Sequence, residues 1–129
     1  MDIEVSFPGG MKVDAKAGRW VISTDQSEKS GGSETAPEPY TLFLASLATC
    51  AGIYVLRYLQ VRGLPTEGLK LVQRHAFDEK KHRLQKVELE ITLPAGIEEK
   101  HRKAIERTAA SCAVKRTIEN PPLFEVKAV

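Results

Sequence analysis

Cys50 and Cys112 are the only cysteines among 129 residues, and no other side chains here are better placed for chemistry. Cys50 lies inside the longest uncharged run, PYTLFLASLATCAGIYVL at 39–56, and Cys112 lies in SCAVKRTIENPP, near the end of the last amphipathic segment. A cysteine in an apolar helix is by default a small hydrophobe with a weak S–H donor. It becomes a nucleophile only where positive charge or a helix N-terminus stabilises the thiolate. A second thiol together with cationic side chains favours that reactive reading, and Arg116 lies one helical turn beyond Cys112. Metal chemistry is poorly supported. The cysteines are 62 positions apart, without zinc-knuckle spacing, and His75, His82 and His101 stand in charged surroundings with no ligand pair at helical spacing.

The elements that must position these thiols follow from pattern. A composition of 42% hydrophobic and 28% charged residues predicts one soluble globular domain over 1–129. A formal charge of +2 is far from the basic stripe that nucleic acid requires. The mixed-sign clusters EKKHR and EEKHRK read as solvated turns or helix faces. No secretory signal pattern opens the sequence, so the cytoplasm is the expected location. In that reducing compartment two cysteines are not a structural disulfide framework.

Ile3, Val5 and Phe7 alternate with polar residues, Pro8-Gly9-Gly10 supplies a turn, and Met11, Val13 and Ala15 alternate again, which predicts a hairpin. A third strand is expected at 19–24. The Ser-, Gly- and Glu-rich stretch 25–37 has no apolar period and reads as a mobile loop of the kind that forms lids. Pro37 and Pro39 introduce a helix expected to reach about Arg62, where Gly63 and Pro65 stop it. Phe43, Leu47, Cys50 and Tyr54 form one apolar stripe on it, and Ala48, Gly52, Val55 and Leu59 form another. Burial on nearly all sides is therefore expected. Thr41, Ser46 and Thr49, the leading proline and the closing Arg57 favour a soluble core helix over a membrane span.

Strands are expected at 69–77 and 84–93 around the charged turn 78–83, because Val87, Leu89, Ile91 and Leu93 keep a clean period of two. Ile97, Ile105, Ala109 and Cys112 then mark one face of an amphipathic helix, and 124–129 closes the chain as a strand. The order β-β-β-α-β-β-α-β is α+β, with segregated hairpins. A core of this size has little material to surround an all-apolar helix, so a homodimer is expected, with that helix near the two-fold interface.

The string PYTLFLASLATCAG, followed by the second cysteine in SCAVKRTI, resembles the OsmC/Ohr family of thiol-dependent peroxide reductases, and within it the OsmC-like subgroup. The agreement spans nearly the whole chain. The resemblance implies an OsmC-like fold in an intertwined dimer, with both cysteines of each subunit meeting in a pocket near the interface. It implies that Cys50 attacks an organic hydroperoxide, that Cys112 resolves the sulfenic acid, and that an external dithiol or thiol restores the pair without a cofactor. Phe43, Leu47 and Tyr54 would contact the hydrocarbon part of the substrate. Arg19 corresponds to the family arginine that contacts the thiolate, with Arg116 as the alternative cation. Two departures stand out: Thr41 occupies the region where family members commonly carry a glutamate, with Glu38 just upstream as its substitute, and Ala113 replaces the proline that often follows the second cysteine. The competing expectation is a dimeric small-ligand-binding protein of the same fold with inert cysteines, since fold alone does not fix function.

Overall fold

The computed structural model covers all 129 residues, Met1 to Val129. The chain divides into two compact units, Met1–Ala45 and Ser46–Val129. The first holds β1 (Ile3–Gly9), β2 (Lys12–Ala17) and β3 (Trp20–Thr24) in an antiparallel sheet of that order. Ala17 pairs with Trp20 across a two-residue turn of Gly18 and Arg19. Gly18 takes a positive φ of 59° at the first turn position, where glycine meets no steric penalty. Arg19 thus stands in the turn and not in the strand expected to contain it.

The stretch 25–37 is a loop, as its composition predicts, and it is organised around one carboxylate. Asp25, only 1% exposed, gathers it. Its Oδ1 accepts the Gln26 N–H at 2.8 Å, and its Oδ2 accepts the Thr35 N–H at 3.1 Å, the Thr35 hydroxyl at 2.7 Å and the Ser33 N–H at 3.3 Å. These bonds to the ionised form hold the Asp25 carboxyl down at about 2, against an ordinary 3.8. A short 3-10 turn, Glu28–Ser30, sits inside the loop, and Gly32 passes so close to the Gln26 backbone that a Cβ there would lie 2.0 Å from its carbonyl oxygen.

Helix α1, Pro39–Val61, starts in the first unit and runs through the second. Pro39 occupies the first helical position, where its missing N–H costs nothing, and the Glu38 carbonyl accepts the Leu42 N–H at 3.2 Å. Burial on all sides does not occur within the single chain. One stripe is buried, Leu47, Ala51, Val55 and Leu59, drawing on both predicted stripes, while Tyr40, Phe43, Ile53 and Val61 are exposed. The helix is long and apolar enough to cross a bilayer by length and composition, yet it carries the core of the second unit.

That core joins Ala51, Val55 and Leu59 of α1 to Ile105 and Ala109 of α2 (Glu99–Ala110) and to Cys112. Beside it lies the hairpin of β4 (Lys70–Asp78) and β5 (Arg83–Thr92), whose half-buried Leu89 and Ile91 pack against the cluster. The last predicted helix is in fact two. Ser111 donates its N–H to both the Arg107 and Thr108 carbonyls and its hydroxyl to Thr108, closing α2, and Cys112 is extended, with φ −64° and ψ 158°. A serine competing for backbone partners in this way interrupts a helix. The chain then restarts as α3, Ala113–Glu119. The strand expected at 124–129 does not form, since no neighbouring strand is paired with it, and Leu123, Phe124, Val126 and Val129 are exposed.

Candidate active site

Each cysteine has a partner one helical turn further on. Cys50 is half-buried on α1 and packs against the core cluster, and Tyr54, four residues later, shares its face of the helix. Cys112 is 0% exposed and stands at the N-cap of α3, where its carbonyl accepts the Arg116 N–H at 3.0 Å. Arg116 then reaches the other helix. Its Nη2 donates to the Tyr54 hydroxyl oxygen at 3.2 Å, linking positions 62 residues apart. The Ser111–Cys112 break makes this geometry local: Cys112 stays in the core while the restarted helix presents Arg116 one turn away. Both thiols are free.

Exposure separates the two sulfurs chemically. Cys50 is the less buried residue of the two, whereas Cys112 is sealed in the core and meets a reagent only through local opening. Tyr54, one turn beyond Cys50, accepts a guanidinium hydrogen bond at its hydroxyl.

The remaining predicted residues have other settings. Leu47, at 5% exposure, is already covered by the chain, so of the stripe Phe43, Leu47 and Tyr54 only Phe43 and Tyr54 keep surface to offer. The Phe43 ring lies 5.5 Å from that of Tyr40. Arg19 and Glu38 belong to the first unit. The Arg19 guanidinium lies over the Trp20 ring at 4.7 Å from its centroid, and Glu38 Oε1 accepts the Ser27 N–H at 3.0 Å, tying the 25–37 loop to the start of α1. No group of three or more His, Cys, Asp or Glu side chains is placed to hold a metal.

Two residues outside the sequence-based set adjoin the site. Tyr58, one turn beyond Tyr54, shares a hydrogen bond with His101 of α2, Oη to Nδ1 at 2.9 Å, with the rings edge-on at 5.9 Å. The spacing Cys50, Tyr54, Tyr58 was visible in the sequence. The His101 partner was not, because its charged neighbours mark it as a surface residue.

Residues 31–127 match the family model described as OsmC-like protein. In fold the chain is similar to a Psychrobacter arcticus protein named for osmotic stress induction and a detoxification response, with a TM-score of 0.76 and 21% identity over 89% of this chain and 85% of that one. It is similar also to an OsmC-like protein from Mycoplasma pneumoniae, with a TM-score of 0.70 and 14% identity over 93% and 87% of the two chains. A Legionella pneumophila organic hydroperoxide resistance protein OsmC gives a TM-score of 0.55 and 18% identity over 92% and 89%. No functionally curated protein matches the sequence.

Proposed function

The chain belongs to the OsmC family, and from that premise we propose that it is a thiol-dependent peroxidase, in which Cys50 reduces organic hydroperoxides and Cys112 resolves the product. The observation that carries this reading is the Tyr54–Arg116 hydrogen bond, which joins the residues one turn beyond each thiol and supports a guanidinium as the cation that activates Cys50. The exposure order supports the assignment of roles, since Cys50 is the less buried of the two cysteines.

The Cys50 thiolate attacks the terminal oxygen of ROOH. The S–O bond forms as the O–O bond breaks, the alkoxide leaves as ROH with a proton from solvent, and Cys50 is left as a sulfenic acid. Cys112 then displaces hydroxide from that sulfur, giving a Cys50–Cys112 disulfide and water. An external dithiol returns both thiols by exchange and is itself oxidised. Tyr54, on the same stripe as Cys50, favours a substrate with a hydrocarbon portion, because burying it contributes about 25 cal/mol per Å². The name of the Legionella pneumophila neighbour supports the same substrate class. The working unit is a homodimer, supported by the exposed apolar residues of β1, β3 and the terminal segment.

The test is a single-turnover reaction with cumene hydroperoxide. Cys50→Ser consumes no peroxide, whereas Cys112→Ser consumes one equivalent and then accumulates sulfenic or over-oxidised cysteine. If Cys50→Ser consumes peroxide and Cys112→Ser does not, the roles are reversed.

A further inference from the structure

Beyond the thiols, one face of α1 meets α2 in a groove of about 350 Å³, lined by Tyr54, Arg57, Tyr58, Val61, Arg62 and Thr108. The α1 members Tyr54, Arg57, Tyr58 and Val61 follow the spacing i, i+3, i+4, i+7, which places them on one side of the helix, and Arg62 comes one residue after its end. The volume is within the range of small-molecule sites. Its lining holds two guanidiniums, two phenols and one hydroxyl, and no carboxylate.

We propose that this groove binds a small organic anion, a carboxylate carried on an aromatic or apolar body. Helix α1, which carries Arg57 and ends one residue before Arg62, contains neither Asp nor Glu. The ion pairs of the chain engage other cations: Arg74, Lys86, Lys100 and Arg102. Arg62 is held ready. Its guanidinium lies 3.7 Å from the Tyr58 ring centroid, and its Nη1 donates to the Tyr58 carbonyl at 3.3 Å. Tyr58 is itself fixed by His101. A guanidinium has five N–H donors, so Arg62 retains several, and a planar carboxylate matches the guanidinium fork in a way that a point anion does not. The Tyr58 ring and Val61 supply the apolar surface for the body of the ligand. This site stands or falls independently of the peroxidase reading.

Calorimetric titration of the protein with benzoate tests it. The expected result is saturable one-site binding that weakens about tenfold or more in Arg57→Gln/Arg62→Gln, with the charge-assisted contacts removed. Arg74→Gln, which alters an exposed ion pair elsewhere, leaves binding unchanged, and neutral benzamide fails to bind. Should the double variant lose its fold, Arg57→Gln alone gives the answer, with a smaller loss, since that side chain has no partner in an ion pair. Equal binding by wild type and Arg57→Gln, equal binding of benzamide and benzoate, or no saturable uptake of benzoate overturns the proposal. Tighter binding of inorganic phosphate than of benzoate overturns the requirement for an apolar body.

Discussion

Tyr54 and Arg116 are 62 positions apart, yet their side chains are joined by a hydrogen bond, and in the proposed peroxidase that bond sets the reactivity of Cys50. Arg116→Gln removes the cation and is expected to slow alkylation of Cys50 by iodoacetamide at neutral pH about threefold to tenfold, the range set by a hydrogen bond of roughly 0.5–1.5 kcal/mol. Tyr54→Phe removes the acceptor but keeps the guanidinium and slows it less. An alkylation rate in Arg116→Gln equal to wild type sinks the role. Part of this was legible in sequence: the two thiols stood out by type, and Arg116 by its spacing from Cys112. The role of Tyr54 was not, because a tyrosine on an apolar stripe reads as a wall, and only tertiary structure shows what its hydroxyl accepts. The same limit applies to Arg19, whose sequence gives no sign that it occupies a turn and stacks on Trp20.

At the scale of elements, the hairpins and α1 were readable because period-two alternation and a proline start are local signals. The break at Ser111–Cys112 was not, since apolar positions up to Cys112 continue the helical rhythm while the hydrogen bonds of Ser111 end it. The stretch 25–37 is a loop as its composition predicts, and what composition does not show is that its polar residues are the ones that bond to Asp25. The Asp25 carboxyl, lowered from 3.8 to about 2, contributes stability that is fully present above the higher value and is lost as pH falls through the lower one. Acid titration followed by amide exchange at Ser33 and Thr35 should show the loop opening between those pH values in wild type, while Asp25→Asn opens it already at neutral pH. Protection in Asp25→Asn that matches wild type at pH 7 contradicts this. In the second unit, Leu59→Ala empties a fully buried position and is expected to cost about 2–5 kcal/mol in denaturant unfolding. A loss under about 1 kcal/mol would mean that α1 does not anchor the core.

At the scale of the whole molecule, the first unit has no buried apolar residue: Ile3, Val5, Phe7, Trp20, Val21 and Ile22 are all exposed in the single chain. Exposed apolar surface of this extent marks an association surface, and a strand expected at 124–129 that finds no partner within its own chain points the same way. The proposed homodimer makes unfolding depend on protein concentration, with the midpoint rising as concentration rises. A midpoint that is constant over a hundredfold range of concentration, with a monomer in sedimentation, would remove it. The sequence-based argument for a dimer rests on the all-apolar α1, whereas the structure adds the exposed apolar residues of β1 and β3 as a further reason to propose one. The proposed peroxidase cycle changes the oxidation state of the intact protein. One equivalent of organic hydroperoxide added to the reduced protein should yield a species two hydrogens lighter, and non-reducing peptide mapping should link Cys50 to Cys112. Recovery of both cysteines as free thiols with the peroxide unconsumed would contradict the account.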